Sequence, residues 1–257
     1  MAVPAPLRLV EREFHVSLSL WRASAFSLFV APVLVLLALG VGLGGLVEIE
    51  RSELGGLEYL DFITPGLAVA GAVQLAAGGA LWPVMAGHRW IGFYHAAVAS
   101  PLRASDLFDG QVVFIGVRAA LQSVALLGVA AALGGVDSPW GLLAVPVVAA
   151  TCLAFAAPLA AFAAAQDTDA GFDVILRVVI VPLYLFSGTV FPLEQLPTAL
   201  RVAVQLFPMT HGVELARAAT TGSGAALELV AHAAVILAYV AVGWVLGRRA
   251  FARRLTP

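Results

Sequence analysis

Short charged segments separate long, nearly uncharged runs along this chain, and that spacing constrains its fold more than any other feature. The runs cover about residues 24–47, 62–87, 111–133, 140–164, 174–190 and 229–247. A helix needs about 20 predominantly apolar residues to cross a bilayer. Within lipid, only helices and closed barrels satisfy their own backbone polar groups. The runs predict an all-α membrane protein with six transmembrane helices. Composition agrees, since 61% of the 257 residues are hydrophobic and 12% are charged, against about 25% charged in a soluble domain. No water-soluble core of this length holds so much apolar surface.

Arginine placement sets the orientation. Arg8, Arg12 and Arg22 precede the first run, Arg89 and Arg103 lie between the second and third, and Arg248, Arg249, Arg253 and Arg254 close the chain. The alternate loops hold only Arg51, Arg201 and Arg217, among many acids. Positive residues mark the cytoplasmic side, so both termini are expected in the cytoplasm. The acidic loop 166–173 is the exception. The chain reads as one domain: an amphipathic interface helix over 1–23, a six-helix region over 24–250 and a cytoplasmic tail over 251–257. In the first of these, Leu7, Val10, Phe14, Leu18 and Trp21 recur at helical spacing between charges. The loop 46–61, with Glu48, Glu50, Glu53, Glu58 and Asp61, reads as a solvated outer face. Gly40, Gly42, Gly44 and Gly45 either permit close helix approach or mark a loose helix end.

All 14 basic residues are arginine. Without lysine there is no G-x-x-x-x-G-K-[ST] phosphate loop and no Schiff-base chemistry. A net charge of -2 speaks against nucleic acid as a partner. Cys152 is the sole cysteine, which leaves no internal disulfide or thiolate cluster. There is no H-E-x-x-H helix, Ser187 lacks a G-x-S-x-G setting, and His88 and His95 have no carboxylate at helical spacing. No catalytic residue, metal site or cofactor is expected on this chain.

Two segments carry more than spanning requires. In the connection 85–111, a short helix centred on His88–Val98 presents Trp90, Phe93, Tyr94 and Val98 on one apolar face; Ser100-Pro101-Leu102 follows, with Ser105 as the expected N-cap and Asp106 in the next first turn. That face suits either another protein's groove or the chain's own helix ends. In the segment 186–220, Pro192, Pro197 and Pro208 divide the chain into two short helices, too short to span, which form an outer cap or re-entrant hairpin. Within the spans, Arg118 lies about two turns into the third, where it can either snorkel to the cytoplasmic headgroups or line a path. Gln74, Gln111 and Gln122 either line a path or bridge helices. Glu228 and His232 are spaced to pair locally.

On these residues the chain resembles the type-2 permeases of ABC exporters. Their S-G-x-x-[FY]-P-x-x-x-[LM]-P string appears as Ser187-Gly188-Thr189-Val190-Phe191-Pro192-Leu193-Glu194-Gln195-Leu196-Pro197, followed by Phe207-Pro208-Met209-Thr210 and Arg217. Their cytoplasmic-loop pattern appears as Gly87, Arg89 and Trp90, then Ser100-Pro101-Leu102 and Asp106. Many relatives carry glutamate shortly after that arginine, where this chain has Gly92-Phe93. The resemblance covers nearly the whole chain and is nearest to the branch exporting lipo-oligosaccharides such as nodulation signals, with daunorubicin-type drug exporters next. It implies a permease of the bacterial inner membrane that pairs with a second copy or a close paralogue. It also implies two separate cytoplasmic ATPase subunits, which carry the ATP and magnesium, and an amphiphilic substrate drawn from the cytoplasm or inner leaflet. The 85–111 loop and the amphipathic N-terminus become the expected ATPase contacts. An intramembrane enzyme and a non-transporting scaffold are the alternatives.

Overall fold

A computed structural model describes residues 4–43, 54 and 56–255. The end of the first run, Gly44, Gly45, Glu48, Glu50, Arg51 and Glu53, and the last two residues lie outside the described residues. The described residues form an α-helical bundle. The N-terminal helix α1 (Ala5–Ser19) leads into α2 (Trp21–Gly40), followed by α3 (Tyr59–Trp90), the short α4 (Phe93–Val98), α5 (Ala104–Ala132) and α6 (Pro139–Ala165). After α7 (residues 172–186) come the short α8 (Thr198–Gln205) and α9 (Pro208–Thr221), then the long α10 (Ala226–Leu255).

Five helices, α2, α3, α5, α6 and α10, are long and apolar enough to cross a membrane. The expected fifth run is shorter than predicted. Its helix has fifteen residues, about 22 Å at 1.5 Å per residue, against a hydrocarbon core of about 30 Å. It ends at Ser187 and at Gly188, whose φ of 79° is open to glycine and strained for other residues. Proline shapes two of the helices. Pro32 and Pro182 each stand second in an α-helical segment that follows a π-turn, Phe26–Val30 and Leu176–Ile180. Lacking an N–H and crowding the carbonyl four residues back, each proline widens the ladder in the turn before it.

The core is where α3, α5 and α6 meet, with α9 and α10 against α6. Small residues bring these helices close. A Cβ on Gly243 of α10 would lie 2.6 Å from Pro158 Cδ of α6, and one on Gly247 would enter the Phe108 ring of α5. Phe108 is fully buried and meets Trp244 and Phe251 edge-on at 5.6 and 5.4 Å. Gly247→Ala is therefore expected to destabilise the bundle by about 1–3 kcal/mol through overpacking, read as a lower thermal midpoint in detergent. By contrast α2 and α10 are the least buried of the five, so their outer faces meet the surroundings. Helix α1 docks on α5, with Leu9 over Gly110 and Phe14 edge-on to Phe114 at 5.3 Å. The expected apolar stripe is thereby divided: Phe14 turns inward while Leu7, Leu18 and Trp21 stay exposed.

Candidate functional site

A cavity of about 400 Å³ opens between α2, α3, α5 and α7. It collects three of the polar residues considered for a path, Gln74, Arg118 and Gln122, among apolar walls from Leu67, Leu75 and Leu126. Gln74 stands exposed at the open side and Gln122 is buried. Gln111, by contrast, bridges helices, its side-chain N–H₂ donating to the Gly79 carbonyl at 3.0 Å. Arg118 is the middle residue of α5, four turns from its start at Ala104. Within lipid, an arginine at the centre of a spanning helix costs about 2.5–3.5 kcal/mol.

At the end of the bundle that carries both described termini, α4 is held from three sides. Tyr94 is buried, with its ring 5.6 Å from Phe251 and against Gly87, where a Cβ would fall inside the ring. Burial raises the Tyr94 phenol above its ordinary value. Phe93 lies under Arg12 of α1, whose guanidinium is 4.0 Å from the ring centre. The apolar face read from sequence is thus divided: Tyr94 packs on the chain itself, while Trp90 (57%) and the neighbouring Ile91 (77%) are exposed. Ser100 donates to the Ala97 carbonyl at 2.6 Å and, with the exposed Pro101 and half-buried Leu102, forms the turn into α5. The N-cap of α5 is Arg103 rather than Ser105, with Asp106 accepting the Arg103 backbone N–H at 2.9 Å. Arg89 and Arg254 both donate to Asp167, and these bonds hold its carboxyl below the usual carboxylate range. The acidic 166–173 loop is thereby matched to arginines from α3 and α10. Arg248 grips Asp109 of α5 with two bonds of 2.8 and 2.6 Å.

At the opposite end the proline-rich motif forms one connected joint. Ser187, Gly188 and Thr189 run beneath α3, so close that a Cβ on Gly66 would lie 2.8 Å from the Thr189 backbone. Arg217 of α9 reaches into this joint. It donates to Glu214 at 2.9 Å, to the Gly188 carbonyl at 2.6 Å and to the Phe62 carbonyl at 3.3 Å, and lies 4.1 Å over the Phe62 ring. Burial, the largest influence, lowers the Arg217 pKa, and Glu214 and Glu194 act in the other direction. Pro192 precedes the turn Leu193–Gln195 and Pro197 caps α8, while Phe191 stays exposed. Pro208 opens α9, whose Thr210 donates to the Val204 carbonyl at 2.9 Å and fastens α9 to α8.

Helix α9 is also tied to α10. The Nδ1 atoms of His211 and His232 are 2.7 Å apart, and His211 Nε2 lies 2.9 Å from the Gln205 carbonyl. This pairing replaces the local Glu228–His232 pair expected from spacing. It requires neutral imidazole on at least one side, since two imidazolium N–H groups only repel. Burial lowers the His211 pKa, and His232 adds to the fall against the Gln205 carbonyl and Glu214. The neutral form is the one the fold prefers, so this joint has its full stability above the unfolded value of about 6.5. Stability is lost as pH falls through that value toward the depressed folded one. Amide exchange in α9, corrected for intrinsic rate, is expected to be faster at about pH 5 than at about pH 8, and His211→Gln to flatten the difference.

Over residues 7–220 the chain matches the family described as ABC-2 type transporter. The chain belongs to the ABC-2 type transporter family. Among its relatives, Nodulation protein J of Rhizobium leguminosarum bv. trifolii is 28% identical over 233 residues, covering 91% of this chain and 87% of the relative. Nodulation protein J of Sinorhizobium fredii is 31% identical over 213 residues, covering 81% and 79%. Nodulation protein J of Bradyrhizobium diazoefficiens is 26% identical over 239 residues, covering 91% and 89%. The ABC-2 transporter chain is a multi-pass membrane permease, a transport component rather than an enzyme, and its family associates with an ABC ATPase subunit.

Proposed function

We propose that this permease is the membrane subunit of an ATP-driven exporter that moves an amphiphile out of the cytoplasm or the inner leaflet. It works in the bacterial inner membrane as a dimer, with itself or a close paralogue, on two cytoplasmic ATPase subunits that supply ATP and magnesium. The observation that carries this reading is the cavity at mid-height in the bundle, with polar groups inside and apolar walls around them. Such a site suits a molecule with a polar head and a hydrocarbon body. Similarity to Nodulation protein J supports a lipo-oligosaccharide as cargo, and drugs or glycolipids share the same chemistry. Both termini lie in the cytoplasm, in keeping with the arginine distribution. There are six crossings, α7 being continued to the far surface by the 187–192 turn.

Trp90 and Ile91 are the anchors for the ATPase, because exposed large apolar side chains beside Arg89 form a compact docking patch. Force applied there passes through Gly87 and Tyr94 to Phe251, and from Phe251 to Phe108, and so reaches α10 and α5 together. Arg118 and Gln122 of α5 move with it. Co-expression with a cognate ATPase and purification on a tag carried by the permease tests the reading. Recovery of both chains in equal amounts, with ATP turnover, is expected. Recovery of the permease alone under every solubilisation condition overturns it and leaves a scaffold or an intramembrane enzyme.

A further inference from the structure

Arg118 is the middle residue of the 29-residue α5, and Gln74 is the sixteenth of the 32 residues of α3. Both face one cavity, and two polar atoms in it are unsatisfied. Arg118 Nε and Gln122 Oε1 are buried and have no hydrogen-bond partner among the described residues. Glu13 of α1 is already paired with Arg12 and acts on Arg118 only as a more distant charge. The Phe114 ring, 5.7 Å from the guanidinium, offers a weak contact. Intramembrane charges almost always have partners, and an arginine fork matches the two oxygens of an oxyanion. An unfilled acceptor beside it, Gln122 Oε1, calls for a donor from the same ligand. The walls at Leu67, Leu75 and Leu126 provide hydrocarbon contact.

We propose that this cavity is a binding site for an anionic amphiphile, whose phosphate, sulfate or carboxylate is held by Arg118, whose adjacent hydroxyl or N–H is held by Gln122, and whose chain lies on the leucines. The inference deepens the exporter reading and rests on it for the visit of an amphiphile to the cavity. Both a transported molecule and a resident phospholipid carry the required chemistry.

The test uses the full chain in phosphatidylcholine nanodiscs without ATPase, so its failure is separate from failure of ATPase docking. Two photo-reactive probes are compared, a diazirine-bearing hexadecyl phosphate and the matching hexadecanol, with adducts mapped by mass spectrometry. The phosphate is expected to label the cavity residues about tenfold more than the alcohol, the order set by one charge-assisted contact. Arg118→Gln is expected to remove that preference without changing the alcohol's labelling. Gly78→Leu, at a cavity position where a Cβ meets open space, is expected to reduce labelling by both probes. If Arg118→Gln does not fold, the wild-type preference and the fall in labelling by both probes in Gly78→Leu still decide. Equal labelling by both probes in the wild-type chain, or a folded Arg118→Gln that labels as the wild type does, overturns the proposal. Competition by added phosphatidylglycerol assigns the site to a lipid headgroup, and its absence to transported cargo; either result supports an anion site.

Discussion

Replacing Arg217 with methionine is expected to cost the permease about 3–5 kcal/mol of stability, the usual penalty for removing one partner of a buried ionic network. Its side chain is only 12% exposed, yet it satisfies Glu214 and the carbonyls of Gly188 and Phe62 at once. Those acceptors come from α9, from the turn after α7 and from α3, so losing the guanidinium releases three elements together. Methionine keeps most of the volume and removes the donors, which separates this effect from a cavity. Arg217→Lys is expected to recover only part of the loss, since an ammonium does not reproduce the planar fork. Thermal unfolding in detergent, followed by tryptophan fluorescence, measures both. Gly66→Val tests the same joint from the other side, because its Cβ would press on Thr189 backbone that cannot rotate away.

The second large effect is expected at the opposite end. Trp90→Asp combined with Ile91→Asp is expected to abolish ATPase co-purification while leaving the melting temperature near that of the wild type. Both side chains are mostly exposed, so the fold loses little. An aromatic anchor at the centre of an interface is commonly worth 2 kcal/mol or more, and a buried carboxylate adds a desolvation penalty. Tyr94→Ala is expected to behave oppositely. It empties a fully packed position against Phe251 and lowers stability by about 3 kcal/mol, with ATPase binding failing only as the fold does. Pull-down yield and melting temperature measured on the same preparations separate the two outcomes.

Much of this architecture was legible in the sequence because lipid imposes a simple rule. Five of the expected spans appear as long helices, since a run of apolar residues of that length has few other solutions. The fifth run appears as the shorter α7, because length between charges counts residues whatever their conformation, and Ser187-Gly188 ends the helix early. Asp106 was legible as a first-turn residue of α5 and closes its N-cap, whereas the hold of Arg248 on Asp109 was not. Contacts between distant residues left no local trace. Asp109–Arg248 joins helices far apart in sequence and His211–His232 joins two successive ones, and nothing in spacing reveals such a partner. Gln74, Arg118 and Gln122 converge on one cavity while Gln111 bridges helices, because burial at membrane depth leaves polar side chains few places to face.

Reconstitution tests the central claim most directly. The permease and a cognate ATPase are placed in vesicles with the ATPase face outward, and uptake of a fluorescent lipo-oligosaccharide is followed with time. The account predicts accumulation that needs ATP and both chains and is lost with the Trp90→Asp, Ile91→Asp permease. Accumulation without the ATPase, or none with a stable, ATP-hydrolysing complex across lipo-oligosaccharide, glycolipid and amphiphilic drug probes, would contradict it.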